Sequence, residues 1–487
     1  MRPSNVVVIL SDEHARHALG CYGSPVARTP HLDALAARGT RFASAYCQSP
    51  LCVPSRSSLA TGRWVHAIGN WDNAKPYTGA EARSWGYRLT AHGHRVVTVG
   101  KLHYRAPDDP TGFPEQRLPL HVVEGVGDVN QLLRGDMPVR ASGRKYVLEA
   151  GRGESDYVRY DTAIADDAAR WLREEAPAER RPWALYVGFV CPHFPLIVPD
   201  RYFDLYRPDD LPMPVQWKPD EWPHHPALDF RRRQQALDEP IDERALRNAM
   251  AAYYGLVTFI DEQVGRVLAG LEDAGLAAET RVVYSTDHGE MLGAHGLWWK
   301  SVMYEGAAGV PLIVAGPDVP RGKVVGTTAM LVDVYPSVLE AVGVEPDADD
   351  AGLPGRSLFA LASEPDAARA AFSEYHAVYS ANAIYMVRTG RWKYVDYVGD
   401  RPQLFDLERD PDETRDLAGE TGHADVVAAC ARELRALLNP EAVDRRAKAD
   451  QARRLEAAGG AARILAEGVK VPYTPAPSQF GPGGENP

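Results

Sequence analysis

Five nearly unbroken apolar runs punctuate this chain, at residues 5–11, 95–99, 183–190, 281–286 and 311–314. Short runs with little polar alternation mark strands covered on both faces, as in a parallel sheet. Between them the period lengthens. Residues 161–175, 243–271 and 333–342 carry apolar positions at helical spacing; in the second, Val257, Ile260, Val264, Val267, Leu268 and Leu271 form one stripe. Strands separated by helices predict βαβ units, hence an α/β fold with a mostly parallel central sheet sandwiched by helices. In such sheets ligands collect at the carboxyl ends of strands. Three runs end in candidate chemistry: Asp12-Glu13, Lys101 with His103, and Asp287-His288. One shared site along that edge is expected.

Past residue 350 the pattern changes. Residues 383–388, 391–397 and 403–406 alternate like strands of a small antiparallel sheet, and 424–438 reads as a helix. The expected division is a large α/β domain over 1–350 that carries the site, a smaller C-terminal α+β domain over 351–440, and a tail over 441–487. The tail is charged and Ala-rich, then Pro- and Gly-rich. It reads either as a solvated end or as an arm on a neighbouring subunit, which would make the protein a homo-oligomer. Residues 105–153 and 201–240 resist assignment. Stretches this long are usually functional or mobile, so they are the expected walls of a substrate pocket.

Net charge is −12 over 487 residues, with no basic tract, which argues against nucleic acid as a partner. An acidic chain that handles an anion must concentrate positive charge locally. The five cysteines (Cys21, Cys47, Cys52, Cys191 and Cys430) are odd in number and include no CxxC pair, so neither a disulfide framework nor a thiolate zinc site is expected. The apolar run 6–10 is too short for a signal-peptide core or a membrane span. A cytoplasmic location without membrane attachment is therefore expected.

The most informative stretch is Leu51-Cys52-Val53-Pro54-Ser55-Arg56. Pro54 suits the first turn of a helix, where its missing N–H costs nothing. Cys52 would then lie just before that helix, where free N–H groups and the dipole favour an anion. Arg56, one turn on, faces the same way. Asp12, Glu13, Asp287 and His288 offer carboxylate oxygens and one imidazole, a donor set for a divalent cation. Lys101 and His103, two apart in an extended segment, point together. His193 sits in Pro192-His193-Phe194-Pro195, and Lys300 follows Gly296-Leu297-Trp298-Trp299. Singly, each has an ordinary reading: an Asp after a strand often caps a helix, and a free Cys is usually a small buried hydrophobe. Their coincidence at strand ends favours the functional one.

The Cys52–Arg63 segment, the second signature Gly93–His103, Asp287-His288-Gly289, Gly296–Lys300, Trp392-Lys393-Tyr394 and Leu404-Phe405-Asp406-Leu407 together resemble the type I, formylglycine-dependent sulfatases of the alkaline phosphatase superfamily. Asp287-His288, the Leu-Trp-Trp-Lys run and Asp72-Asn73-Ala74 most resemble the bacterial choline sulfatase branch, with the phosphonate monoester hydrolases close by. The resemblance runs from the first strand to about Asp416. It implies that Cys52 is oxidised to formylglycine (3-oxoalanine) by a formylglycine-generating enzyme during maturation. It implies one divalent cation, Ca2+ first with Mn2+ or Mg2+ as alternatives, held by Asp12, Glu13, Asp287, His288 and residue 52. Arg56 would steady the formylglycine hydrate, while Lys101, His193 and Lys300 neutralise sulfate oxygens. His103 would assist breakdown of the intermediate, and Asn73 would touch the sulfate. His193 is the expected proton donor to the leaving alcohol.

Departures exist. Glu13 stands where most relatives carry Asp, His288 where Asn is usual, and Val53 and Ala60 are unusual within the first signature. The expected activity is hydrolysis of a sulfate monoester. The competing readings are a phosphonate monoester or phosphodiester hydrolase on the same fold, and a binding protein whose Cys52 stays a thiol. Tyr104, Trp71, Trp298 and Trp299 are candidates to stack on a cationic head group, with core packing the alternative.

Overall fold

The predicted runs become the middle of one sheet. In the computed structural model, which describes residues 2–468 and 473–481, the strands are β1 (Asn5–Asp12), β2 (Gly39–Phe42), β3 (Val96–Lys101), β4 (Glu115–Leu120), β5 (Ala184–Pro192), β6 (Thr280–Thr286), β7 (Leu312–Ala315) and β8 (Lys323–Val325). They form an eight-stranded sheet in the order β8-β2-β7-β6-β1-β5-β3-β4. Strands β6, β1, β5, β3 and β4 are mutually parallel neighbours, and β7 alone runs against its neighbours β6 and β2.

Alternation along each strand feeds two cores. Val7 and Ile9 join Val97, Val99, Leu185 and Val187 on one face; Val6, Val8 and Leu10 join Val96, Ala184 and Tyr186 on the other. Both faces of β1 are therefore dry, which is why its sequence shows no polar alternation. Each such aliphatic side chain contributes about 1.5–3 kcal/mol by leaving water. The first face is covered by α2 (Asp156–Glu174) and α3 (Glu243–Asp273), which pack on each other. The second is covered by α1 (Cys52–Thr61) and α4 (Val334–Val342).

Among the elements that escaped the sequence reading, two did so for plain local reasons. Strand β4 lies within the unassigned stretch 105–153; it is a sheet edge of sequence EQRLPL, only partly buried, and an edge tolerates its proline. The C-terminal sheet has a further strand, β9 (Ala371–Tyr375), beside β10 (Ile384–Thr389), β11 (Trp392–Tyr397) and β12 (Gln403–Asp406). All five residues of β9 are buried, so its chemistry carries no alternation to read. Helix α5 (Ala424–Leu437) lies against this sheet.

The tail folds back on its own chain. Helix α6 (Pro440–Ala457) buries Val443, Ala447 and Gln451. Its Asp444 Oδ1 accepts the Ala383 N–H at 2.8 Å, Asp450 Oδ2 accepts the Trp71 indole N–H at 2.9 Å, and Gln451 Nε2 donates to Asp72 Oδ2 at 2.8 Å. This part is thus not a solvated end. Helix α7 (Ala461–Glu467) follows, while residues 469–472 and 482–487 of the tail lie outside the described residues. No described helix is long and apolar enough to cross a membrane.

Candidate active site

Four adjacent parallel strands, β6, β1, β5 and β3, deliver their carboxyl ends to one place. β1 ends at Asp12 with Glu13 next; Asp287 and His288 follow β6; His193 follows β5; β3 runs on to Lys101, two residues beyond its predicted end. Gly100 makes that extension fit: its φ is +92°, and a Cβ there would lie 2.3 Å from the Gly188 carbonyl oxygen of the neighbouring strand. Non-glycine residues with positive φ gather here too: Glu13 at 64°, His103 at 62°, Trp299 at 65° and Ser301 at 76°. Such conformations cost on the order of 1–3 kcal/mol each and concentrate at functional sites.

Cys52 is the first residue of α1 rather than the residue before it. Pro54 occupies the third position, where its lacking N–H still costs nothing. The Val53 N–H is met by Asn73 Oδ1 at 3.0 Å. This commits the carbonyl end of the Asn73 amide to α1 and leaves its NH2 end for a ligand in the cavity that Asn73 lines. Ser55 Oγ donates to the Asp287 carbonyl at 2.6 Å, tying α1 to β6. The Cys52 sulfur then lies 3.2 Å from His288 Nε2 and 3.8 Å from Asp12 Oδ1. Asp12, Cys52, Asp287 and His288 each place a donor atom within 4.8 Å of the others, and all four are buried. Asp12, Glu13 and His193 form a second such group, sharing Asp12.

Arg56 locks this arrangement from beneath. Its guanidinium donates to Asp287 Oδ2 at 2.7 Å, Asp12 Oδ2 at 2.9 Å, the Lys101 carbonyl at 2.9 Å and the Tyr186 hydroxyl at 3.1 Å. Lys101 Nζ lies 2.6 Å from Asp12 Oδ2. Burial alone would raise the Asp12 pKa; the adjacent cations Lys101 and Arg56 outweigh it and hold the carboxyl well below its usual range. Burial pushes Glu13 up to about 8, with Lys300 opposing and Glu290 adding. The Cys52 thiol is pushed up to about 12 by burial and the Asp12 carboxylate.

Hydrogen-bond partners fix the imidazoles. His288 Nδ1 donates to the Gly289 carbonyl at 3.1 Å, which turns Nε2 toward the acidic pair. Nε2 lies 3.7 Å from Asp12 Oδ1 and 3.6 Å from Asp287 Oδ1. His193 Nδ1 donates to the Phe194 carbonyl at 2.6 Å, so its Nε2 accepts from Lys300 Nζ at 2.7 Å. The proton available for donation is therefore on Lys300, which also holds Glu13 Oε2 at 3.1 Å; His193 orients it. Burial and Lys300 keep His193 neutral, and burial and Lys101 do the same for His103.

The site opens into a cavity of about 440 Å3. Of the candidate stacking aromatics, Trp299 lines it, whereas Trp71, Tyr104 and Trp298 are buried in the core. Sequence reasoning missed several contributors. Glu290 accepts the Leu292 and Trp299 N–H groups at 2.6 and 2.7 Å and so shapes the loop that ends in Lys300. Thr474 Oγ1 meets His103 Nε2 at 2.9 Å across 371 residues, and the Thr474 carbonyl accepts the Tyr157 hydroxyl at 2.5 Å. No local pattern marks Thr474. Glu290, by contrast, lies two residues beyond His288, inside a motif already singled out.

Residues 4–344 match the profile of the Sulfatase family, and residues 293–439 match that of the N-sulphoglucosamine sulphohydrolase C-terminal region. The chain belongs to the sulfatase family. It is 31% identical over 474 residues to a choline-sulfatase of Rhizobium meliloti (strain 1021), covering 92% of this chain and 90% of that one. It is 30% identical over 441 residues to arylsulfatase K of Homo sapiens, covering 85% and 78%. Among solved structures, the phosphonate monoester hydrolase of Agrobacterium radiobacter superposes with a TM-score of 0.72 at 25% identity, over 89% of this chain and 95% of that one. The protein is a sulfuric ester hydrolase with the α/β core and antiparallel C-terminal sheet of that family.

Proposed function

We propose that this chain hydrolyses a sulfate monoester, with water, to an alcohol and inorganic sulfate, using formylglycine at position 52 and one divalent cation. The observation that carries this reading is the Cys52 sulfur at a helix start, within hydrogen-bonding range of His288 and 3.8 Å from Asp12, in a buried group that also contains Asp287. The donor set fits a cation: oxygens of Asp12 and Asp287, an imidazole nitrogen of His288 and the side chain of residue 52 converge within 4.8 Å of one another in one buried group. Glu13, which shares a side-chain hydrogen bond with Glu290 and pairs with Lys300, lies beside them. Asp12, Asp287, His288 and residue 52 would hold the ion, with Glu13 beside Lys300. Oxygen-rich donors with one His suit Ca2+, Mg2+ or Mn2+.

Bound there, the ion would polarise a sulfuryl oxygen and lower the pKa of a coordinated hydroxyl. A thiol held near 12 is a poor nucleophile at neutral pH, which argues against catalysis by an unmodified Cys52. As a hydrated aldehyde, residue 52 would supply one hydroxyl to attack sulfur and a second whose deprotonation regenerates the aldehyde. The protein's own groups do the rest. Lys101 and Lys300 stabilise charge on the sulfuryl oxygens. Lys300, oriented by His193, gives its proton to the leaving alcohol. His103, neutral, accepts a proton in the second half of the cycle, and Asn73 donates its amide to a sulfate oxygen.

The test is peptide mass analysis of the segment carrying Cys52, on protein made in a host with a formylglycine-generating enzyme, paired with sulfate release from ester substrates. A persistent thiol with no turnover would indicate a binding protein instead. Faster turnover of phosphonate monoesters than of sulfate esters would indicate the rival hydrolase.

A further inference from the structure

Five fixed cations line the cavity above Cys52: Lys101, Arg140, Arg231, Lys300 and Arg463. Four have a carboxylate partner. Lys101 pairs with Asp12, and Lys300 with Glu13. Arg140 clasps both oxygens of Asp128 at 2.7 and 3.1 Å, and Arg463 pairs with Glu467 at 2.8 Å. Arg231 is the exception. It lies on the helix Pro226–Gln234, within one of the long stretches expected to wall the pocket, and is 2% exposed. One nitrogen, Nη2, donates to the Trp298 carbonyl at 2.9 Å. Its Nε and Nη1 have no hydrogen-bond partner among the described residues, and no described carboxylate lies within 4.0 Å. The ring of Tyr379, another cavity residue, sits beneath the guanidinium, 5.5 Å from its central carbon. The neighbouring Arg232 differs on the same helix: it pairs with Asp229 and donates to the Pro223 and His295 carbonyls, leaving only its Nε unmet among the described residues.

Burying a guanidinium without a counter-charge is costly, because arginine does not escape by losing its proton. Such a group in the wall of a ligand cavity, with two nitrogens still lacking an acceptor, matches an oxyanion. The sulfate to be cleaved is already served by Lys101 and Lys300 at the site. We propose that Arg231 recognises a second oxyanion, a carboxylate or a further sulfate, carried on the alcohol portion of the ester. The preferred substrates are then at least dianionic, with a body of roughly saccharide or aryl size to match the cavity. A quaternary ammonium alcohol would place a cation beside an uncompensated cation. This inference rests on the proposed hydrolysis of sulfate esters and adds the chemistry of the leaving group.

The test compares kcat/KM, with formylglycine confirmed by mass, across phenyl sulfate, the carboxyphenyl sulfate isomers, phenylene disulfates, a hexose monosulfate, a hexuronate monosulfate and choline O-sulfate. At least one oxyanion-bearing ester should exceed its neutral counterpart tenfold or more, chiefly through KM. The carboxylate and disulfate arms identify which oxyanion is read. Arg231→Met should cut that ratio at least tenfold, and Arg231→Lys should retain part of it. Choline O-sulfate or neutral esters leading the panel, or a ratio unchanged in Arg231→Met, overturns the proposal. If Arg231→Met does not fold, the wild-type panel and Arg231→Lys decide. If modified enzyme turns over no ester at all, the hydrolysis reading fails; calorimetric affinities for carboxyphenyl against phenyl sulfate then decide the role of Arg231, equal affinities overturning it.

Discussion

Replacing Arg56 tests whether the buried charge network organises the site. The wild-type guanidinium is 1% exposed and makes four hydrogen bonds from three nitrogens, two of them to the carboxylates of Asp12 and Asp287. Arg56→Leu fills much of the volume but strands Asp287 and leaves Asp12 with Lys101 alone. Breaking a buried ion pair by removing one partner costs about 3–5 kcal/mol, because the remaining charge is left uncompensated. Arg56→Lys keeps the charge but loses the fork, so it gives up at least one charge-assisted bond, worth about 1.5–3 kcal/mol. The expected order of stability is wild type, then Lys, then Leu. Urea unfolding followed by tryptophan fluorescence reads it, and divalent cation should restore part of the Leu variant's loss by pairing with the freed carboxylates. A Leu variant within about 0.5 kcal/mol of wild type, a change typical of surface positions, would refute the claim that Arg56 compensates buried charge.

Chelation of the divalent ion should lower the unfolding temperature, and Ca2+ should restore it; indifference to chelator in calorimetry would remove the cation from the site. Asp161, buried beneath β5 and accepting the Val190 and Cys191 N–H groups, is pushed by burial from 3.8 up to about 7. The unfolded chain releases this proton first, so the group's contribution to stability is full below pH 4 and is lost as pH rises through 7, by up to about 4 kcal/mol at 1.36 kcal/mol per unit. Asp161→Asn should flatten the pH dependence of the urea midpoint between those limits, and an unaltered slope would contradict the assignment. Thr474→Val removes the hydroxyl at His103 Nε2; the loss of about 0.5–1.5 kcal/mol predicts a two- to tenfold lower kcat with a displaced pH–rate profile, and an unchanged profile would leave Thr474 a bystander. Truncation before Glu441 should lower solution mass, read by light scattering, if the tail also joins subunits.

The class of fold and most of the site were legible in the chain. Continuous apolar runs such as 5–11 can only be strands buried on both faces, so a helix-covered parallel sheet followed. The chemistry-bearing residues at their ends, Asp12, Lys101, His193 and Asp287, had to share one edge. Tertiary structure alone decided how those residues pair. Which nitrogen of His193 carries the proton depends on the Phe194 carbonyl, and the other nitrogen thereby accepts from Lys300. Thr474 reaches His103 only because the tail folds back, and nothing within a few residues of position 474 encodes a partner 371 residues away. Arg231 is one of three consecutive arginines, and nothing in that run distinguishes it; only the fold buries it in the cavity wall with two nitrogens unmet. Local pattern specifies which face of an element is dry; whether a charge finds its counter-charge is a property of distant segments brought together, and so belongs to the fold.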